Sequence, residues 1–236
     1  MVLFASDHQS RLRVKEENMS YPAKKAYREE SVADLYDKDR FTGCKGKLTH
    51  RREMAVMMKA LGRAGISAPA RILDIPCGTG RLSRYLALRG FRMLGLDISA
   101  QMISRGRIGA EQIDRQNIIE FIVGDGDALP FHDGEFDAVV SLRLFGHTPP
   151  ATRKEILGEL RRVGQKYLIL AYYNKVSLQY YLRKKIRDRT GQEWNPVTIK
   201  GIRNELTSVG LKLIKTIYLA RWFSETVIVI CERIGT

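Results

Sequence analysis

Residues 71–81 of this 236-residue chain read R-I-L-D-I-P-C-G-T-G-R. A short apolar run ends in Asp74, and a turn that contains Gly78 and Gly80 follows it. Because glycine has no Cβ, such a turn lets the backbone come close to a ligand. A strand, a glycine turn and a helix in this order are typical of the first unit of a nucleotide-binding α/β fold. The motif C-G-T-G alone is too short to identify the ligand.

The chain beyond Pro69 alternates between apolar runs and segments with helical spacing. We expect strands at 71–75, 92–96, 118–123, 137–142, 167–172, 211–219 and 226–231. We expect helices at 82–89, 99–106, 152–163 and 199–209. This order predicts an α/β fold: a doubly wound, mostly parallel seven-stranded sheet with helices on both faces and an antiparallel last strand.

The chain before this domain is dense in charged residues. Residues 1–66 are expected to form a helical N-terminal arm and cap. Its helices would lie near 21–36 and 51–64, with a loop that contains Gly43 and Gly46 between them. Residues 67–236 would form the main domain, with an insertion of basic and aromatic residues around 173–198.

Carboxylates end three successive predicted strands: Asp74, Asp97 and Asp125. Parallel sheets of this class bind ligands outside the carboxyl ends of their strands. Asp is also favoured at helix N-caps and in turns, and this is the alternative for any one of the three. Their recurrence at successive strand ends favours a ligand site.

The glycine turn does not match a dinucleotide loop. That loop reads G-x-G-x-x-G, whereas Ser83 occupies the place of the third glycine and Pro76 precedes Cys77. The carboxylate of Asp74 would also repel a pyrophosphate. It suits a ligand with an ammonium group and a positive sulfur, and S-adenosylmethionine has both groups and no phosphate. Asp97 is placed to accept hydrogen bonds from ribose hydroxyls.

Several ordered motifs then carry a family resemblance: I-L-D-I-P-C-G-T-G, L-G-L-D-I-S-A-Q-M-I and G-D-G-D-A-L-P-F-H-D-G-E-F-D-A-V-V-S. With them, residues 71–163 resemble class I S-adenosylmethionine-dependent methyltransferases, particularly the ubiquinone/menaquinone-biosynthesis-like group. The chain departs from that family at Pro76, which replaces the usual first glycine and should narrow the turn without abolishing it. The usual K-P-G-G turn before the fifth strand is also absent, since the chain reads R-R-V-G-Q-K-Y there.

The resemblance implies a set of residues that bind S-adenosylmethionine. They are Asp74, Pro76, Gly78, Thr79, Gly80, Asp97, Ile98, Met102, Asp125, Gly126, Ser141 and Leu142. Asp74, Gly78 and Gly80 would line the methionine portion. Asp97 would bind the ribose, and Asp125 would accept from the adenine amino group.

The sequence motifs identify the catalytic and acceptor-binding residues less directly than the cofactor-binding residues. His147 is the candidate general base, needed only if the acceptor loses a proton; its alternative is a loop-capping histidine. The candidate acceptor-site residues are Tyr36, Arg40, Phe41, Arg143 and Tyr173. Tyrosines lie among lysines and arginines in the 173–198 segment, which suits an anionic acceptor with an apolar portion. The alternative for that segment is a solvated amphipathic helix.

The amino-acid composition limits the classes of binding partner. The net charge of +14 and the pI near 9.8 favour an anionic partner, although many basic proteins bind no polyanion. No apolar run reaches the ~20 residues that span a bilayer, and peripheral membrane contact stays open. The three cysteines are widely spaced, which predicts neither a disulfide framework nor a zinc site and favours the cytoplasm.

We therefore expect a methyltransferase that acts on an anionic small-molecule or lipid-linked acceptor. An RNA methyltransferase is the alternative within the enzyme class, motivated by the charge. Against it, no N/D-P-P-Y/F tetrapeptide follows the fourth strand, where the chain reads S-L-R-L-F-G-H. A non-catalytic module that only binds the cofactor is the second alternative.

Overall fold

The computed structural model describes residues 43–113, 118–190, 194–220 and 222–235. The helix expected near 21–36 lies outside the described residues, as do Tyr36, Arg40 and Phe41. The elements in chain order are α1 (Cys44–Arg63), β1 (Arg71–Asp74), α2 (Arg81–Ala87), β2 (Arg92–Asp97), α3 (Ala100–Glu111), β3 (Ile119–Val123), β4 (Phe136–Ser141), α4 (Pro150–Val163), β5 (Gly164–Tyr173), α5 (Leu178–Thr190), α6 (Ile199–Ser208), β6 (Leu211–Tyr218) and β7 (Thr226–Arg233).

The strands form one seven-stranded sheet in the order β3-β2-β1-β4-β5-β7-β6. The pairs from β3 to β5 are parallel, and β7 lies antiparallel between β5 and β6. The predicted fold class, including the antiparallel last strand, is confirmed. The direction of winding reverses between β1 and β4, which is where sheets of this class bind ligands.

Alternating side chains of each strand pack on opposite faces of the sheet, as the two-residue period of a strand requires. Leu73 and Val139 face α4 and α6 on one side. Ile72 and Val140 face α1 and α2 on the other. Both faces are covered, which explains the nearly continuous apolar composition of the central strands.

Several element boundaries differ from the prediction, and α3, for example, ends at Glu111 and not near Gly106. α1 begins at Cys44 and not near Arg51, so the expected loop is wrong at Gly46, which is helical. Gly46 lies in the first turn of this helix, where the Gly43 carbonyl accepts from the N–H of Lys47. β5 begins at Gly164 directly after α4, because Gly164 already pairs with Phe136.

The basic and aromatic segment 173–198, for which an amphipathic helix was the alternative interpretation, contains the helix α5. The division of the chain at residues 66 and 67 stays a prediction. Within the described part, α1 belongs to the core that covers one face of the sheet, through Met54, Met57 and Leu61. None of the helices in the described ranges has the length and apolar composition needed to cross a membrane.

Candidate active site

A cavity opens at the carboxyl ends of β1, β2 and β4. Its lining includes twelve of the residues predicted from the sequence: Asp74, Pro76, Gly78, Thr79, Asp97, Ile98, Met102, Asp125, Gly126, Leu142, Arg143 and His147. The remaining lining residues were not predicted: Ile75, Cys77, Arg81, Leu82, Leu96, Gly124, Leu144 and Ile156. The topology therefore brings together residues that are far apart in the chain.

The glycine turn between β1 and α2 requires its two glycines. Gly78 and Gly80 have φ angles of 54° and 72°, in the left-handed region that favours glycine. A Cβ on Gly80 would lie only 2.4 Å from the Phe121 ring, so this glycine serves packing and does not line the cavity. The backbone N–H of Gly78 donates to Oδ2 of Asp97 over 2.8 Å, which ties the turn to the end of β2.

Asp74 is a buried carboxylate on the floor of the cavity. Burial raises its pKa to about 7, and the nearby charge of Asp97 acts in the same direction. The Ser83 hydroxyl donates to Oδ2 of Asp74 over 2.7 Å and opposes the shift. Ser83 occupies the place of the third glycine of a dinucleotide loop, so this substitution supplies a hydrogen bond to the acid.

Asp97 is held by backbone donors. Its Oδ1 accepts from the N–H of Ser99 over 3.0 Å, and its Oδ2 accepts from Gly78. Burial raises the pKa of Asp97, and these donors limit the rise. A carboxylate has roughly four acceptor positions, so Asp97 retains capacity for a ligand hydroxyl.

Two buried hydroxyls near the same strand ends have no hydrogen-bond partner within the part of the chain that the structure describes. They belong to Thr79, in the glycine turn, and to Ser141, the last residue of β4. Buried polar groups are normally hydrogen-bonded. Ser141 does not line the cavity, unlike its neighbour Leu142.

Two arginines, Arg81 and Arg143, line the rim of the cavity and converge on one buried acid of α1. Arg143 donates to Oε1 of Glu53, and Nη2 of Arg81 lies 3.8 Å from Oε2. Arg81 also lies 2.6 Å from Nδ1 of His50. Arg143 itself has a positive φ of 68°, which is uncommon for a residue with a side chain.

Sequence reasoning missed Glu53. The chain does carry a signal for it, because Glu53 stands four residues before Met57 on the apolar stripe of α1. A carboxylate on a core-facing stripe needs a cationic partner. The identity of that partner, however, depends on where α1 lies against the sheet.

His147 and Tyr173 form a pair beside the cavity. The Tyr173 hydroxyl lies 3.4 Å from Nε2 of His147, and the two rings meet edge to face at 5.5 Å. His147 lines the cavity, whereas Tyr173 is not among the lining residues and contacts His147. Gly146 permits this approach, since a Cβ there would lie 2.1 Å from the Tyr173 ring.

Residues 72–166 match the family model described as a methyltransferase domain. The chain carries a class I S-adenosylmethionine-dependent methyltransferase domain. The demethylmenaquinone methyltransferase of Thermus thermophilus is 38% identical over 119 residues, which are 48% of this chain and 52% of that protein. The bovine 18S rRNA (guanine-N(7))-methyltransferase is 34% identical over 140 residues, 55% of this chain and 48% of that protein.

The methyltransferase domain also resembles solved structures. The magnesium protoporphyrin IX methyltransferase of Synechocystis PCC 6803, solved with bound SAH, superposes with a TM-score of 0.76 at 23% identity. The superposition covers 88% of this chain and 97% of that one, and it shows the shared fold. The chain spans about half or less of the length of the curated relatives that it matches.

Proposed function

We propose that this chain binds S-adenosylmethionine in the cavity and transfers its methyl group to an anionic small-molecule or lipid-linked acceptor. The observation that carries the proposal is the buried Asp74 carboxylate beside the glycine turn, with its pKa raised to about 7. A carboxylate held at this cost is stabilised by a cationic ligand. An ammonium and a sulfonium group provide that charge, and a ligand without phosphate avoids repulsion by Asp74 and Asp97.

The remaining floor residues fit the same ligand. Asp97 would accept from the ribose hydroxyls, and Asp125 from the adenine amino group, with the Gly126 N–H nearby. Ile98 and Met102 would pack on the adenine. The Thr79 hydroxyl, which has no hydrogen-bond partner among the described residues, is a further hydrogen-bonding group at the methionine end.

S-Adenosylmethionine, when bound, supplies a methyl group on a positive sulfur that is already activated for in-line displacement. The protein then has to hold the acceptor close and in line. Arg81 and Arg143 at the rim would attract the negative charge of the acceptor. His147 would take a proton from an acceptor atom that must lose one, and Tyr173 would orient its ring.

The relatives support a small-molecule acceptor. The Thermus relative is named for demethylmenaquinone, and the Synechocystis structure is named for magnesium protoporphyrin IX. Both names specify a small molecule. The anionic character of the acceptor rests on the rim arginines of this chain.

Calorimetric titration of the full chain with S-adenosylhomocysteine tests cofactor binding. We expect one molecule bound per chain, and the Asp97→Ala variant should bind at least about tenfold more weakly because the ribose loses its acceptor. Absence of binding by the folded wild-type chain would overturn the proposal. Binding without any methyl transfer would favour the non-catalytic module.

An RNA methyltransferase is the second candidate, favoured by the charge of +14 and by the bovine relative named for 18S rRNA. A labelled methyl donor incubated with the chain and a cell extract separates the two. We expect label in the small-molecule or lipid fraction. Label confined to RNA would replace the proposed acceptor with RNA.

A further inference from the structure

Six large apolar side chains are more than half exposed on two segments outside the cavity. They are Trp222 (74%), Tyr181 (63%), Leu182 (61%), Val176 (56%), Phe223 (55%) and Leu178 (52%). Single exposed apolar residues are normal, but a contiguous group of them marks an interaction site. We call these six residues the docking surface.

The two segments are fixed to each other by the backbone. The N–H of Leu178 donates to the Trp222 carbonyl over 2.9 Å, and that of Gln179 donates to the Phe223 carbonyl over 3.0 Å. The first turn of α5 therefore rests on the turn between β6 and β7. Arg183 adds an ion pair of 2.9 Å with the buried Glu225 of that turn. The docking surface is thus one surface built from two segments.

The spacing along α5 makes this helix amphipathic with an exposed apolar stripe. Leu178, Tyr181 and Leu182 are three and four residues apart, so they share one face. Tyr180 turns inward and packs against Trp194, with ring centroids 4.9 Å apart. An apolar stripe that faces solvent on a basic helix is typical of helices that lie in a membrane interface.

The charges around the docking surface are strongly basic. Residues 174–190 and 219–225 contain seven lysines and arginines and two acids. Of these, Lys175, Arg183 and Lys184 are exposed. Basic residues near an anionic bilayer strengthen its binding, and tryptophan is favoured at the level of the lipid headgroups.

The docking surface lies at the same edge of the sheet as the cavity. Tyr173 at the end of β5 pairs with Thr226, and Tyr218 at the end of β6 pairs with Val227. Both segments therefore leave the sheet at the carboxyl edge, where the cavity opens. Tyr173, directly before the α5 segment, contacts the cavity-lining His147.

We propose that the docking surface binds the headgroup region of an anionic phospholipid bilayer, with Trp222 and Phe223 inserted into it. Three of the six side chains are aliphatic and do not stack on bases, whereas stacking is the main apolar contact with single-stranded RNA. This docking goes beyond the proposed methyl transfer and requires no bound cofactor. It would place the mouth of the cavity beside acceptors dissolved in the bilayer.

Vesicle co-sedimentation of the full chain tests the proposal, without cofactor. Vesicles of phosphatidylcholine alone are compared with vesicles of equal parts phosphatidylcholine and phosphatidylglycerol. The test variant is Trp222→Asn with Phe223→Ser; Asn suits the positive φ of 69° at position 222. The matched control is Leu88→Gln with Ile108→Gln, which removes two exposed apolar side chains elsewhere. Thermal unfolding confirms that both fold.

A second pair of variants tests the charge. Lys184→Glu lies on the basic segment, and Lys212→Glu makes the same change at the amino end of β6, at the opposite edge of the sheet. Wild-type binding should also shift the emission of Trp222 to the blue. The shift should be absent in Trp222→Asn, which retains Trp194.

The expected result is binding to the anionic vesicles and at least about tenfold weaker binding by the Trp222/Phe223 variant, with no change in the Leu88/Ile108 control. Lys184→Glu should weaken binding more than Lys212→Glu.

Equal binding by wild type and the Trp222/Phe223 variant, or no binding to anionic vesicles, would overturn the proposal. Binding of bulk RNA in place of vesicles, lost in the same variant, would assign the surface to RNA. Titration of the same samples with S-adenosylhomocysteine distinguishes failure of the membrane proposal from failure of the proposed cofactor binding, because either can fail while the other holds.

Discussion

The floor and the rim of the cavity carry opposite charges and are built in different ways. The floor holds the carboxylates of Asp74 and Asp97, both buried and both with raised pKa values. The rim carries Arg81 and Arg143, which share the buried Glu53. This contrast supports the proposal of a cationic ligand at depth and an anionic acceptor at the mouth of one cavity.

His147 lines the same cavity, and its replacement should have the largest effect. We expect His147→Ala to lower the rate of methyl transfer by about a hundredfold or more, the usual contribution of a general base. The affinity for S-adenosylhomocysteine should stay unchanged. His132→Ala, in an exposed loop, is the control. Equal losses of rate and affinity would remove the base role and assign His147 to cofactor binding.

Replacing Asp74 on the floor of the cavity should weaken cofactor binding and, without ligand, stabilise the fold. Asp74→Asn keeps the side-chain shape and can still accept from Ser83, but it loses the charge. We expect S-adenosylhomocysteine to bind about thirtyfold more weakly. This factor corresponds to about 2 kcal/mol, the usual contribution of a hydrogen bond to a charged group. Titration calorimetry measures this effect. Unchanged affinity would contradict a floor that selects a cation.

The same variant should be more stable than wild type at pH 8 without ligand. An acid whose pKa is raised on folding costs stability once it ionises, so the free energy of unfolding falls as pH rises from about 4 to 7. Asn avoids this cost, and the gain of about 4 kcal/mol that a pKa rise from 3.8 to about 7 implies should vanish below pH 4. Urea unfolding at both pH values provides the comparison.

The pH dependence of cofactor binding tests whether the ionised Asp74 carboxylate binds the cationic ligand. Because the cationic ligand requires ionised Asp74, affinity should fall as pH drops below about 7, by up to about tenfold per pH unit. The slope should disappear in Asp74→Asn. A slope that persists in this variant would assign the titration to another group.

The rim should respond to Glu53→Gln with the smallest effect. Two arginines then lose their shared carboxylate, so we expect the free energy of unfolding to fall by about 1–2 kcal/mol. Methyl transfer should slow several-fold, with cofactor affinity unchanged. Glu155→Gln, exposed on α4, is the control. A loss of cofactor affinity equal to the loss of rate would show that floor and rim are not independent.

The floor could be predicted because its residues follow strand ends. A parallel sheet brings consecutive strand ends to one edge, so Asp74, Asp97 and Asp125 could be placed together from their positions alone. The rim was predicted only through Arg143. Glu53 and Arg81 stand 28 residues apart in the chain, and no local pattern indicates that α1 packs where its acid meets both arginines.

The predicted segment 173–198 shows the same limit. Its composition indicated an anionic partner, while its neighbour in the fold, the turn with Trp222 and Phe223, could not be identified from the sequence. Backbone hydrogen bonds between the two segments join them. Only the three-dimensional arrangement decides that their apolar side chains face outward on one surface.

The sequence by itself determined the order of strands and helices, the glycine turn and the acids that follow the strands, because these depend on local periodicity and on single residue types. The tertiary structure decided how deeply Asp74 is buried, and therefore its pKa, since burial depends on every element packed around it. It also decided which distant residues meet: Glu53 with the rim arginines, Tyr173 with His147, and α5 with the β6–β7 turn.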